Sequence, residues 1–242
     1  MPKCDKILKF QAAIYLAPSE YFLSKQMVNE LNDFCIEHYK MSLLPLDIPS
    51  NAPPEIPRTI FTNHIQSLQL TISSSRIDFY HHPEKNIENN IAPIEFEQFI
   101  EEIHKLYAFI NKILNPEINR IAIVYEFNGN TIEGEGDPLT WIKNKFFRTE
   151  LDSVYFRNLE NIILRIDKRT SMRSTDYSFS INKIFGIKTI RDSNGNGRIL
   201  NYYLDINTIQ DDKEIRFNED QIKQFYVSSY DVLQKLLTLI LK

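Results

Sequence analysis

The stretch from Leu68 to Tyr80, LQLTISSSRIDFY, contains two short strand-like runs separated by a serine pair. Leu68, Leu70 and Ile72 alternate with polar residues, which is typical of a β-strand that buries one face. Adjacent serines favour a tight turn. The stretch therefore predicts a β-hairpin with strands at residues 68–73 and 76–80.

Strand and helix signals also flank this hairpin. Residues 7–16 predict an opening strand, and the apolar residues that follow Pro18 recur at three- and four-residue steps, which indicates a helix. Residues 58–63, just before the hairpin, are a further strand candidate, so that two or three strands are expected between the two helices. Residues 96–110 give the clearest amphipathic helix, which ends before Pro116.

A strand at residues 120–127 closes this first half. The order strand, helix, strand, strand, helix, strand over residues 7–128 predicts the split βαβ, or ferredoxin-like, arrangement. Helices would then pack on one face of an antiparallel sheet, which places the protein in the α+β class.

The second half begins after the loop at residues 128–138, NGNTIEGEGDP, which holds three of the six glycines and predicts a boundary. A helix is predicted first, then three strands, then a closing helix whose Asn218 and Gln221 have capping-box spacing. The predicted ranges are 141–147 for the helix, 161–167, 177–187 and 198–207 for the strands, and 218–241 for the closing helix. Residues 1–130 are thus expected to form a ferredoxin-like βαββαβ half and residues 131–242 a helix–three-strand–helix half, together making one continuous globular unit.

A proline-rich connection spans residues 45–57 in the first half, with five prolines. Proline lacks a backbone donor and restricts the residue before it, so this segment is not helical. Its length is typical of a binding or lid segment, and wrapping of the sheet edge is the alternative.

Composition excludes several classes of protein. The chain of 242 residues is 43% hydrophobic, which is enough for a full core, and its two cysteines make neither a disulfide framework nor a metal site. No segment approaches the roughly 20 apolar residues that span a bilayer. We therefore expect a cytoplasmic protein with no membrane partner and no cofactor, in which Cys35 is a small core residue.

Charge is distributed unevenly along the chain. Residues 1–138 carry 11 basic and 19 acidic side chains, whereas residues 139–200 carry 12 basic and 6 acidic ones. This asymmetry favours an anionic partner for the middle segment or self-association between unlike faces, and a solvated basic surface is the alternative.

The basic residues of the middle segment are interleaved with aromatic residues such as Trp141 and Tyr155. Basic and aromatic side chains together hold phosphates and stack bases in single-stranded nucleic acid. The candidate nucleic-acid-binding residues are Lys143, Lys145, Arg148, Arg157, Arg165, Lys168, Arg169 and Arg173.

Motifs for metal binding and catalysis are weak. Residues 192–197, DSNGNG, match the start of a calcium loop, but Tyr203 stands where the bidentate glutamate belongs, and a hairpin turn explains the pattern equally. His81 and His82 are adjacent on a predicted strand, so their side chains point to opposite faces. No metal site and no catalytic residue is therefore assigned.

Five phrases carry a resemblance to a known family: LQLTISSSRIDFY, FIEEIHKLYAFI, NRIAIVYEFN, RILNYYLDIN and FNEDQIKQFYVSSYDVLQKLL. In them the chain resembles a sporadically distributed prokaryotic family of similar length, whose activity is not established. The resemblance implies a prokaryotic cytoplasmic protein of the kind often carried with mobile or defence-related genes. It implies no catalytic residues.

These observations favour a non-enzymatic binding or assembly protein that acts through protein–protein contacts, in a prokaryotic defence or toxin-control setting. The alternative is an RNA- or single-stranded nucleic-acid-binding or processing protein of the CRISPR-associated ferredoxin-like kind. A third hypothesis is a metal-dependent hydrolase that uses His81, His82 or the carboxylates of residues 133–137.

Overall fold

The computed structural model describes residues 4–17, 23–49, 51–90, 92, 94–129, 137–146, 162–191, 198–209 and 217–240. These residues form nine strands and five helices. The strands are β1 (Cys4–Leu16), β2 (Met41–Leu44), β3 (Thr59–Asn63), β4 (Leu68–Ile72), β5 (Arg76–His81), β6 (Ile118–Gly129), β7 (Ile163–Arg173), β8 (Ser178–Arg191) and β9 (Arg198–Thr208). The helices are α1 (Lys25–Tyr39), α2 (Pro83–Glu88), α3 (Phe96–Leu114), α4 (Pro138–Phe146) and α5 (Glu219–Ile240).

All nine strands belong to one open sheet in the order β2-β3-β4-β5-β1-β6-β9-β8-β7. Every neighbouring pair is antiparallel. The first and second halves of the chain meet where β6 pairs with β9, in an unbroken register from Ala122 opposite Asn207 to Gly129 opposite Leu200. The α+β class and the antiparallel sheet are as the sequence predicts.

Helices pack on one face of this sheet, which we call the helix face. Phe10 of β1 lies against Phe96 and Phe99 of α3, with ring centroids 5.3 and 5.4 Å apart. At the other end of the sheet, Phe179 of β8 meets Phe225 of α5 at 5.7 Å. Because side chains alternate along a strand, the residues between these apolar positions point to the opposite, open face.

Local signals explain where the main helices begin and end. The Ser24 hydroxyl accepts a hydrogen bond from the Met27 amide at 3.2 Å and caps α1, which ends at Lys40 in the left-handed region. The predicted capping box of α5 is confirmed: Asn218 and Gln221 exchange reciprocal bonds of 3.0 and 2.9 Å.

Some predicted boundaries were wrong. The strand expected at residues 161–167 runs instead from Ile163 to Arg173, because pairing with β8 carries it through a charged stretch that looks solvated in the sequence. Strand β2 and helix α2 were missed, since each is too short to show a period. The loop at residues 192–197 connects two antiparallel neighbours, β8 and β9, although the loop itself lies outside the described residues.

The proline-rich connection is held by hydrogen bonds from the side chain of Arg58. The Arg58 guanidinium donates to the carbonyl oxygens of Pro49 and Pro53 at 3.1 and 3.5 Å, and also to that of Ala52. Ser74 and Ser75 donate to the Pro54 carbonyl. The connection is thereby tied to the end of the β4–β5 hairpin.

None of the described helices is long and apolar enough to cross a membrane.

One histidine lies inside the aromatic core. His81 is fully buried beside Phe10 and Phe99. Its Nδ1 lies 3.3 Å from the Ser67 carbonyl oxygen, and its Nε2 accepts a hydrogen bond from the Ile94 amide at 3.2 Å. These two contacts fit a neutral ring protonated at Nδ1, and burial lowers the pKa of His81 to about 4.

We predict that this histidine makes folding stability sensitive to acid. Its pKa in the folded state lies below the unfolded value of about 6.5, so the stabilisation is complete above that value and is lost as the pH falls towards 4. The free energy of unfolding should fall by about 2–3 kcal/mol over this interval through this group. Urea denaturation between pH 7 and pH 4 measures the effect.

His81→Leu should flatten this pH dependence, although it lowers stability at pH 7 by leaving two backbone groups unpaired. The exposed His64 provides the control, because His64→Asn should leave the pH dependence as it is in the parent. If the free energy of unfolding of His81→Leu still falls between pH 7 and pH 4 as it does in the parent, His81 is not the source of the pH dependence.

Candidate functional site

Six of the eight predicted basic residues lie in the described part of the chain. Lys143 and Lys145 are on α4, and four others follow one another along β7. The four residues of β7 do not share one face, because side chains alternate along a strand. Arg165, Arg169 and Arg173 point to the open face, whereas Lys168 points to the helix face. Arg148 and Arg157 lie outside the described residues. The structure thus arranges three arginines in a row about 13 Å apart, rather than in one cluster.

Strand β7 forms one edge of the sheet and is exposed on both of its faces. Met172 is the one buried residue of this strand. Ile163 is 68% exposed and Ile166 is 60% exposed, the two highest values for large hydrophobic residues in the described part of the chain. An edge strand presents a row of unpaired N–H and C=O groups, which is a template for pairing with another chain, and charged side chains on the strand limit that pairing.

Among the strands that the structure describes, β7 has a partner on one side of its backbone only. At one end the Thr189 amide donates to the Ile162 carbonyl at 3.2 Å, and just past the other end the Ser174 amide donates to the Tyr177 carbonyl at 2.9 Å. The register between them is unbroken, so even-numbered residues bond to β8. The N–H and C=O groups of the odd-numbered residues from Ile163 to Arg173 therefore point away from the sheet.

The open face next to β7 carries an aromatic ring that covers a glycine. Tyr203 of β9 stands opposite Gly186 of β8, which in turn stands opposite Arg165 of β7. The ring of Tyr203 occupies the space that a Cβ atom on Gly186 would need. Arg165 itself donates to Asp167 at 2.8 Å. Gly186 is therefore required by close approach of a ring, which the sequence did not reveal.

A second aromatic group on the open face lies between β5 and β6. The guanidinium groups of Arg76 and Arg120 lie 4.9 and 4.5 Å from the ring centroid of Tyr15. Arg76 Nε and Gln11 Nε2 donate to the buried carboxylate of Asp78 at 2.8 and 3.0 Å. The pKa of Asp78 is raised because burial outweighs the opposing effect of Arg76.

Taken together, the open face is more basic than the chain as a whole. Further ion pairs join Glu126 to Lys9 at 3.4 Å and to Lys188 at 3.7 Å. Among the side chains that the structure describes, this face presents by register seven basic and four acidic residues, namely Lys9, Arg76, Arg120, Arg165, Arg169, Arg173 and Lys188, with Asp78, Glu126, Asp167 and Asp205. The net charge of the whole chain is −4.

Lys168 belongs to a different basic group on the helix face. It stands opposite Lys183 of β8, and Lys235 of α5 is close enough to act on the same ammonium group. The pKa of Lys183 is lowered, first by partial burial and then by these two lysines. The two faces of β7 therefore present separate basic surfaces.

The opposite edge of the sheet is formed by β2, which is only four residues long. The outward N–H of Leu43 donates to Asn32 Oδ1 of α1 at 3.0 Å. A groove of ≈ 470 Å³ lies beside it, lined largely by apolar side chains such as Leu44, Leu46 and Val28. This edge is shorter than β7 and has one of its donors already occupied.

Those residues proposed for metal chemistry that the structure describes do not come together. Both ring nitrogens of His81 contact backbone groups in the core, while His82 stacks beside Tyr80. Asp137 caps α4 by accepting from the amides of Leu139 and Thr140. Within the described residues no group of three or more His, Cys, Asp or Glu side chains is placed to hold a metal ion. Residues 133–136 lie outside that part of the chain.

The buried thiol of Cys35 is also unsuited to chemistry. It lies in the core under α1, and burial raises its pKa to about 12. This agrees with the expected role of a small core residue.

No protein-family model matches this chain. No curated protein matches it with significance either.

We predict that Gly186 cannot carry a side chain without displacing Tyr203. Gly186→Ala should lower the free energy of unfolding by about 1–3 kcal/mol, because the ring and the new methyl group compete for one space. Chemical denaturation of four proteins, namely the parent, Gly186→Ala, Tyr203→Ala and the double variant, measures the coupling. In the Tyr203→Ala background, Gly186→Ala should lower the free energy of unfolding much less than it does in the parent. Additive effects would show that the two positions do not interact.

Proposed function

We propose that this protein is a non-enzymatic assembly protein that binds another protein chain through the free edge of β7. The observation that carries the proposal is the exposure of an 11-residue edge strand on both faces. Ile163 and Ile166 lie on this edge, and its odd-numbered backbone groups point outward. A partner strand added here would gain main-chain hydrogen bonds and would cover both isoleucines.

The comparison between the two sheet edges supports the choice of β7. Strand β2 offers four residues, and Asn32 already accepts the Leu43 N–H. Natural proteins protect exposed edges by such shortening and covering. Strand β7 has neither protection among the described residues, although its charged side chains restrict which partner strand fits.

The split βαβ arrangement of residues 1–130 is part of the same proposal. The order β4-β5-β1-β6 within the sheet supports it, with α1 following β1 and α3 following β5. We also propose a cytoplasmic location, which the buried free thiol of Cys35 supports.

We predict that capture of a protein partner depends on Ile166. When the tagged full-length chain is purified from its native extract, a stoichiometric protein partner should survive a high-salt wash, because edge pairing rests on main-chain bonds and apolar contact. Ile166→Lys should abolish capture by placing an ammonium group in the apolar contact. Ile87→Lys is the matched control, since Ile87 is 55% exposed on α2, away from β7. A partner retained equally by both variants would contradict the proposal.

A second candidate function is binding of single-stranded nucleic acid on the open face. Two observations favour it: the ring of Tyr203 covers Gly186, which stands opposite Arg165, and the guanidinium groups of Arg76 and Arg120 lie over the ring of Tyr15. Bases stack on such rings while cations hold the phosphates. Arg76 is already paired with Asp78 and Arg165 with Asp167, so this function ranks second.

The neighbouring residues Lys168 and Arg169 test this second function, because they point to opposite faces of β7. If nucleic acid binds the open face, Arg169→Ala and Arg165→Ala should each weaken binding of a labelled single strand and reduce its salt dependence. Lys168→Ala should leave the affinity nearly unchanged. Fluorescence anisotropy at two salt concentrations distinguishes these results, and equal losses in all three variants would argue against an open-face site.

A further inference from the structure

We infer that the chain bound at the β7 edge is a second copy of this protein, and that the two β7 strands pair antiparallel about a two-fold axis at Ile166. The inference rests on the proposed function, since it names the partner of the same edge. Two nine-stranded sheets would then join into one continuous sheet. The register at this axis follows from three properties of β7: its outward backbone groups, its charge order and its exposed isoleucines.

The backbone allows this pairing. In a symmetric antiparallel pair, residues at equal distances on opposite sides of the axis stand opposite each other. An axis at Ile166 therefore places Arg165 opposite Asp167 of the second copy, and Ile163 opposite Arg169 of the second copy. All of these are odd-numbered residues whose N–H and C=O groups point outward. The pairing adds about eight main-chain hydrogen bonds, two for each facing pair.

The side chains at this axis are complementary on both faces. On the open face, Arg165 of each copy stands opposite Asp167 of the other copy, which gives two pairs of opposite charge. In the single chain this arginine bonds Asp167 of its own strand at 2.8 Å, so the pair is already oriented towards the open face. On the helix face Ile166 meets its own copy at a site without backbone bonds, where side chains approach most closely. The most exposed apolar residues of the strand are thereby covered.

Other registers are less favourable. An axis at Asp167 sets two carboxylates against each other and also sets Arg165 against Arg169. An axis at Lys168 pairs Asp167 with Arg169, but it opposes two ammonium groups and sets Ile166 against Thr170. An axis at Arg165 or Arg169 opposes two guanidinium groups. Like charges directly opposite each other destabilise a strand pair. An axis at Thr170 would pair Asp167 with Arg173, but it leaves Ile163 beyond the ladder and uncovered.

The oligomeric state of the purified full-length chain tests the inference. Sedimentation and light scattering across about 1–100 µM should show a dimer, because a symmetric pair of this kind is a closed assembly. Ile166→Lys should give a monomer, while Ile87→Lys should remain dimeric. Circular dichroism shows whether each variant is folded.

Charge reversal supplies an independent test that does not depend on the isoleucine. Arg165→Asp sets two carboxylates against each other across the axis, and Asp167→Arg sets two guanidinium groups against each other. Each single variant should raise the dimer dissociation constant by at least about tenfold, and the double variant should restore it to within a few-fold of the parent. Restoration supports the Ile166 axis, because no other axis places these two positions opposite each other.

The outcomes separate this inference from the proposed function. A parent chain that stays monomeric up to about 100 µM, or a dimer unaffected by either set of variants, overturns the second-copy inference. If that monomer still binds a different protein in an Ile166-dependent manner, the assembly function stands with another partner. If neither form of binding depends on Ile166, both proposals fail.

Discussion

The pairing of β6 with two neighbours is the constraint on which the rest of the structure depends. On one side β6 meets β1, and on the other it meets β9, which belongs to the second half of the chain. Helix α5 then returns across the junction, where the Tyr226 hydroxyl donates to the Ala13 carbonyl of β1 at 3.3 Å. Because β6 has a partner on both sides, the free edges of the sheet are displaced to β2 and β7. The position of the candidate binding edge is thus a consequence of how the two halves are joined.

Sequence patterns predicted the elements whose signals are local. The hairpin of β4 and β5, helix α3 and the capping box at Asn218 each depend on residues within a few positions of one another. The length of β7 was mispredicted because it depends on β8, not on the charged sequence around Lys168. The edge position of β7 was not predicted from the sequence either. The exposure of Ile166 follows from the order of strands in the sheet, which the local hydrophobic pattern does not contain. The basic residues were found by composition, but alternation along β7 separates Lys168 from the arginines.

The two faces of the sheet differ in what they demand of the sequence. The helix face is filled by apolar and aromatic side chains, among which a neutral His81 keeps both ring nitrogens engaged. On the open face, polar side chains are satisfied by one another: Asp78 is held by Arg76 and Gln11, and Glu126 lies between two lysines. Such internal pairing reduces the charge available to a polyanion. In the middle segment, Arg165 is paired with Asp167 and Lys188 with Glu126, so composition alone overstates the charge that this segment offers to nucleic acid.

Charges on an edge strand have two physical effects that act together. They discourage unspecific pairing, because most registers set like charges against each other. They also select a register, because the few that remain bring opposite charges together. On β7 an arginine and an aspartate flank Ile166 at equal distances and carry opposite charges. The strand is therefore complementary to a second copy of itself when the axis lies at Ile166, although it repels such a copy in other registers. Exposed isoleucine would be a liability on an unselective edge, and the flanking charges convert it into a specific contact.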